Sequence, residues 1–203
     1  PELADEMGER LQRLTAPFIL RRLKTDTAII SDLPDKAEHV IAVDMTPEQA
    51  ALYKALVDST QAELDERKGI ARKGLVLATI TRIKQVCNHP AHFLGDGSAV
   101  TDKGRHRSGK VEKLMELLEE AAASDQRVLI FTQYKAFGDI LKPYLSERLG
   151  EDVPFLHGGV GKSARDAMVE RFQQPDGPRA MILSLKAGGT GLNLTAASMV
   201  IHL

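Results

Sequence analysis

The chain has 203 residues, 43% of them hydrophobic and 27% charged, with a formal net charge of −1 and one cysteine. That length buries a full core as one large domain or a domain with an insertion, and no run approaches the roughly 18 apolar residues of a membrane span. Cys87 has no partner for an internal disulfide, which points to a reducing, cytoplasmic setting; the near-neutral charge means that any nucleic-acid contact must be local.

The acidic start Pro1-Glu-Leu-Ala-Asp-Glu reads as helix and not as a signal peptide. Leu3, Met7, Leu11 and Leu14 recur at helical spacing, and Pro17 closes that helix. Residues 18–38 form a charged connector without periodicity, carrying the basic cluster Arg21-Arg22-Leu23-Lys24, and Val40-Ile-Ala-Val43 is a short β candidate. Thr46-Pro-Glu-Gln49 has the form of a capping box with proline in the first turn, opening a helix with Leu52, Leu56 and Leu64. A second helix spans roughly 75–87, with Val76, Ile80, Ile83 and Cys87 on one side, and Pro90 ends it. Glycines at 95, 97 and 104 make residues 95–108 a loop that serves as hinge or boundary; its basic cluster Lys103-Gly-Arg105-His-Arg107, with Lys110 beyond it, and the one at 21–24 qualify as local DNA sites, although such runs are usually solvated surface.

Beyond residue 108 the pattern changes to alternation. Val111, Leu114, Met115 and Leu118 make a helix stripe, Val128–Phe131 a strand, Phe137–Leu149 a helix and Val153–Leu156 a strand. Ala167–Phe172 belongs to a further helix, and Met181–Leu185 and Met199–Leu203 are strands. Continuous apolar strands alternating with amphipathic helices predict a parallel sheet covered on both faces. Ligands gather at the carboxyl ends of such strands, here Thr132-Gln133, His157-Gly158 and Lys186–Gly191. The third segment stands out, because an apolar strand opens into glycines at 188, 189 and 191 with Ser184, Thr190 and Thr195 at its rim. Glycines admit positive φ and clear side chains away from amides that can hold a phosphate.

Other patterns are weaker. Gly158-Gly-Val-Gly-Lys-Ser163 is not a Walker A loop, since the position five residues before Gly161 is Leu156; Lys162 and Ser163 nevertheless lie at a helix start whose free amides suit a phosphate oxygen. Cys87, His89 and His92 crowd into six residues without a fourth partner, which favours a buried thiol and a helix end over zinc. Ser108 reads as an N-cap. No Ser-His-Asp or Cys-His grouping stands out.

Phe18-Ile-Leu-Arg-Arg-Leu-Lys-Thr25, Leu33-Pro-Asp-Lys36, Gln85-Val-Cys-Asn-His-Pro90, Ser108-Gly-Lys110, Val128-Leu-Ile-Phe-Thr-Gln-Tyr134, Leu156-His-Gly158 and the glycine loop occur in one order. Together they resemble the second motor lobe of Swi/Snf-type ATPases, the duplex-DNA translocases of helicase superfamily two. The resemblance implies an α/β fold, a RecA-like parallel sheet with helices on both faces and an inserted helical protrusion. It divides the chain into an inter-lobe connector tail (1–38), an edge strand with the protrusion (39–107) and the RecA-like lobe core (108–203), cut at both ends. It implies DNA phosphate contacts at Gln133, Gly158, Lys162, Ser184, Lys186, Ala187 and Gly188, and nucleotide contacts at Gly191 and Asn193. The partners implied are double-stranded DNA, the first RecA-like lobe of the same polypeptide and a DNA-bound protein being remodelled. ATP and Mg2+ would be held mainly by that first lobe, and the arginine-finger motif is expected to follow Leu203, so this chain carries no catalytic residue and would be inert alone. Thr190, where eukaryotic members commonly have a bulky aliphatic, together with the compact protrusion, suggests a bacterial or archaeal member. An RNA helicase, or a module that docks DNA or protein through the protrusion, are the alternatives.

Overall fold

The computed structural model describes residues 2–19, 37–66, 68–187 and 191–203, and the chain divides into two compact units, Pro1–Ile41 and Ala42–Leu203. In the first, α1 (Glu2–Thr15) exposes Met7, Leu11 and Leu14 along one stripe, and Thr15 Oγ1 donates to the Leu11 carbonyl as the helix ends. The cluster at 21–24 and the connector through Lys36 lie outside the described residues. The expected β segment Val40–Val43 is not a strand: residues 37–46 are irregular and Val40 is 98% exposed. β-branched side chains form a strand only against a neighbour that takes up their amides.

The second unit opens with α2 (Pro47–Glu66), α3 (Gly69–Asn88) and α4 (Pro90–Leu94). The capping box forms as the sequence predicts, with Thr46 Oγ1 accepting from Gln49 N and Gln49 Oε1 from Thr46 N, both at 3.2 Å. Helix α3 starts at Gly69, earlier than the expected 75, and its buried line is different: Leu75, Thr79, Ile83 and Val86 turn inward while Val76 and Ile80 are exposed. Polar residues share this seam, since the Thr60 and Thr79 hydroxyls meet at 3.3 Å between α2 and α3. Cys87 is half-buried and not sequestered. His89 closes α3 and opens α4, its Nδ1 accepting from Ala91 N at 3.0 Å.

The loop at 95–108 is pinned and is no hinge. It contains a hairpin, β1 (Thr101–Asp102) and β2 (Arg105–His106), whose turn residues Lys103 and Gly104 both take positive φ, 48° and 79°, as a two-residue hairpin turn requires. Arg107 then folds inward, with Nε and Nη2 on the two Glu48 carboxylate oxygens (2.9 and 2.6 Å) and Nη1 on Ser98 Oγ and the Ala99 carbonyl. The guanidinium holds the Glu48 carboxyl below its ordinary range. Gln49, 1% exposed, donates to the Val86 and Cys87 carbonyls and accepts from Gly109 N. Ser108 Oγ donates to the Asn88 carbonyl and caps the next helix, and Lys110 Nζ donates to Asn88 Oδ1. Burial lowers the Lys110 pKa. These bonds join the helical segment to the sheet-bearing core.

That core holds α5 (Gly109–Ala123), β3 (Val128–Thr132), α6 (Lys135–Leu149), β4 (Phe155–Leu156), α7 (Lys162–Gln173), β5 (Ala180–Ser184) and β6 (Met199–His202). The four strands lie in the order β4-β5-β3-β6, all parallel, with Val128 opposite Ala180 and Thr132 opposite Ser184. Period-two alternation sorts their side chains to two faces. Val128, Ile130, Ala180 and Ile182 pack with Val111, Leu114 and Leu118 of α5 and with Phe137, Leu141 and Leu145 of α6, while Leu129, Met181 and Leu183 pack with Phe172 and Met168 of α7. Both faces are therefore helix-covered, the expected α/β arrangement.

Candidate nucleic-acid interface at the carboxyl end of the sheet

Because every strand of this sheet points the same way, the turns after β3, β4 and β5 open on one rim, and β5 lies between the other two strands. Each turn is fixed by a local bond. After β3, Thr132, 1% exposed, accepts from Tyr134 N at 3.3 Å, which leaves the intervening Gln133 exposed. After β4, His157 Nδ1 accepts from Gly159 N at 3.0 Å, around an exposed Gly158. After β5, Ala187 N donates to the Ser184 carbonyl at 2.9 Å, and Lys186 is exposed at the tip of that turn. Leu185 N donates to the Thr132 carbonyl at 3.0 Å and so ties the first turn to the third.

The expected contact residues separate by accessibility. Gln133, Gly158, Lys162, Lys186, Gly191 and Asn193 are exposed and Ala187 is half-buried. Ser184 is 6% exposed; it offers its carbonyl to the turn, and its side chain does not lie on the surface. Gly188, Gly189 and Thr190 fall outside the described residues. A Cβ placed at Gly158 meets nothing within 4 Å, so packing inside the chain does not demand glycine there. Gly191 has φ +75°, in the region where glycine is free of strain. Beyond it, Leu192 and Leu194 are half-buried against the α7 cluster while Gly191, Asn193 and Thr195 are exposed. The segment thus presents small polar residues outward from an apolar footing.

Lys162 is the first residue of α7, behind Gly161, which offers no side-chain cap; the free amides of that first turn suit an anion. Arg107, by contrast, is withdrawn from any ligand by its pair with Glu48, its side chain being 13% exposed. Two side chains that reach the glycine segment have no obvious sequence signal. Arg165 Nη2 donates to the Ala187 carbonyl at 2.7 Å, and Gln173 bonds Thr195 Oγ1 and Ala196 N at 3.0 and 2.9 Å. An arginine and a glutamine on a helix face carry no local pattern that points 22 residues away.

Among the described residues no three or more His, Cys, Asp or Glu side chains converge to hold a metal ion. No helix among them is long and apolar enough to cross a membrane.

Comparison with known proteins agrees with this geometry. The family described as "Helicase conserved C-terminal domain" matches residues 109–203, and the "SNF2-related domain" family matches residues 2–92. A Bacillus subtilis protein named as an ATP-dependent helicase/translocase, YwqA, is 45% identical over 193 residues, 95% of this chain and 21% of its own length. The Arabidopsis thaliana ISWI chromatin-remodeling complex ATPase CHR17 is 36% identical over 202 residues, 97% of this chain and 18% of its own. The chain therefore spans about a fifth of the length of these relatives. Among solved structures, the Sulfolobus solfataricus SWI2/SNF2 ATPase core in complex with dsDNA superposes with a TM-score of 0.75 at 41% identity, over 96% of this chain and 40% of that one. The C-terminal domain of the Sulfolobus solfataricus SWI2/SNF2 ATPase gives 0.71 at 40% identity, over 80% and 69%.

Proposed function

The chain belongs to the Snf2-type family of helicase superfamily two, as its C-terminal RecA-like lobe, and on that premise we propose that the carboxyl-end rim of its sheet grips the phosphate backbone of duplex DNA in an ATP-driven translocase. The observation that carries this reading is the convergence on one rim of three turns whose exposed residues include Gln133, Gly158 and Lys186, with Gly159 and Leu185 beside them. One lysine, an amide side chain and open glycine backbone can hold phosphates without reading bases, which suits a motor that must act on any sequence. Lys162 and the first turn of α7 add a cation and free amides beside the Gly158 turn.

Gly191 and Asn193 follow on the same segment and face ATP in the cleft with the first lobe. A few residues of backbone therefore join the DNA-facing and nucleotide-facing ends, so that displacement at one end is felt at the other. Such coupling needs two states that ATP and DNA bind with different affinities. The Gly158–Ser163 turn is no Walker A loop, since Leu156 stands where the pattern needs glycine. In this reading ATP and Mg2+ are held mainly by the first lobe of the same polypeptide, and the substrate acted upon is protein bound to DNA.

Steady-state ATPase assays test this. The 203-residue chain should hydrolyse no ATP, with or without DNA, whereas the protein that carries both lobes should turn over ATP faster with duplex DNA present. Robust hydrolysis by the chain alone, or two-lobe turnover indifferent to duplex DNA, would overturn the proposal.

A further inference from the structure

Ala187, before the glycines, and Thr195 and Ala196, after them, are all fastened to one helix. Arg165, half-buried in the second turn of α7, places Nη2 2.7 Å from the Ala187 carbonyl, immediately before the glycines. Gln173, the last residue of α7, uses both ends of its amide, with Nε2 on Thr195 Oγ1 and Oε1 accepting from Ala196 N. Arg165 and Gln173 are eight positions apart, about 12 Å along a helix and slightly over two turns, so they share roughly one face. Between them on α7, Phe172 belongs to the buried cluster against which Met168, Ala187, Leu192, Leu194 and Ala196 pack. The same helix begins with Lys162.

Resting on the reading that this rim binds DNA, we propose that Arg165 and Gln173 are positioning residues. They clamp the loop to α7, so that Lys186, Asn193 and Lys162 move as one body when the helix moves. A hydrogen bond from a guanidinium to a carbonyl is charge-assisted and about twice as strong as a neutral one, and here it holds the carbonyl of Ala187, the residue before Gly188 in the sequence. Without these bonds Ala187, beside Lys186, and Thr195 and Ala196, just beyond Asn193, lose their side-chain ties to α7. Neither residue contributes to the buried clusters that hold the sheet, so loss of the clamp loosens the loop and leaves the lobe folded.

The test uses the 203-residue chain with Arg165→Ala, Arg165→Lys, Gln173→Ala, Lys186→Ala and the double variant Arg165→Ala/Lys186→Ala. Hydrogen exchange compares residues 185–196 with β3, and fluorescence anisotropy measures affinity for a duplex oligonucleotide. Arg165→Ala should speed exchange in the loop and leave β3 protected, and weaken duplex binding roughly tenfold, the scale of one charged hydrogen bond. Gln173→Ala should speed exchange at the 192–196 end, and Arg165→Lys should restore most of both properties. Because Arg165 acts through the loop that carries Lys186, the double variant should bind little more weakly than Lys186→Ala; independent losses would multiply. Loop exchange unchanged by Arg165→Ala and Gln173→Ala overturns the clamp, and so does multiplication of the two binding losses. If Lys186→Ala leaves duplex affinity untouched while loop exchange still responds to Arg165→Ala, the DNA reading fails and the clamp stands. Should Arg165→Ala not fold, Gln173→Ala and Arg165→Lys carry the exchange comparison.

Discussion

His92 makes the most quantitative prediction. Its ring is 6% exposed, stacked on Phe137 at 5.5 Å between centroids and edge-on to Tyr134 at 5.1 Å, and neither ring nitrogen has a hydrogen-bond partner. Burial lowers its pKa from 6.5 to about 4. The folded state therefore resists protonation while the unfolded state accepts it, so stability is complete above pH 6.5 and is lost as pH falls from 6.5 towards 4. A shift from 6.5 to about 4, at 1.36 kcal/mol per unit, caps the loss at about 3 kcal/mol, of which about 2 kcal/mol falls between pH 7 and pH 4.5. His92→Phe keeps an aromatic ring in the stack and removes both the proton and the two unbonded nitrogens. Urea denaturation of the parent chain and His92→Phe at pH 7 and pH 4.5 isolates this group, because other titrating groups cancel in the difference. The advantage of His92→Phe over the parent should widen by about 2 kcal/mol at the lower pH. A difference between the two proteins that is the same at both pH values would refute the account of the buried neutral ring.

Gln49→Leu leaves the Thr46 and Gly109 amides and the Val86 and Cys87 carbonyls without their shared partner and should cost about 3 kcal/mol in chemical denaturation. Gly138 of α6 faces the Phe155 ring so closely that a Cβ overlaps it, and Gly138→Ala should therefore destabilise the core by about 1–3 kcal/mol on the same assay. The Glu48 carboxyl, held low by Arg107, contributes stability above its unfolded pKa that is lost as pH falls through the lowered folded one; Glu48→Gln should remove that part of the acid dependence in a pH series of melts. Gly158→Val, where a side chain meets nothing of the chain itself, should leave the melting temperature near its parent value and weaken duplex binding severalfold. Unaltered affinity would remove Gly158 from the interface.

What the sequence made legible was local or periodic. The Thr46–Gln49 capping box spans three residues and could be read directly, and the Ser108 cap likewise. The parallel sheet followed from apolar runs such as Val128–Thr132 and Ala180–Ser184, since strands buried on both faces do not alternate in hydropathy. Bonds across distance were hidden. Gln49 reaches Val86 and Arg107 reaches Glu48, 37 and 59 positions away, and this turned an apparent hinge at 95–108 into a pinned junction. Val40–Val43 misled because β propensity means little without a neighbouring strand. Periodicity misplaced the buried line of α3 because Thr60 and Thr79 share its seam. At the rim, Gln133, Gly158 and Lys186 were marked by their place after apolar strands, whereas Arg165 and Gln173 act through a loop they meet only in the fold.

Whether the carboxyl-end rim holds DNA by its phosphates is read from the salt dependence of duplex binding. Anisotropy titrations of the 203-residue chain and of Lys186→Ala, over a range of salt concentrations and on two unrelated duplex sequences, give the slope of log affinity against log salt. Lys186→Ala should weaken binding equally on both duplexes and make the slope shallower by about 0.9, the release associated with one phosphate contact. An unchanged slope with the fold intact, or a loss confined to one sequence, would contradict the account.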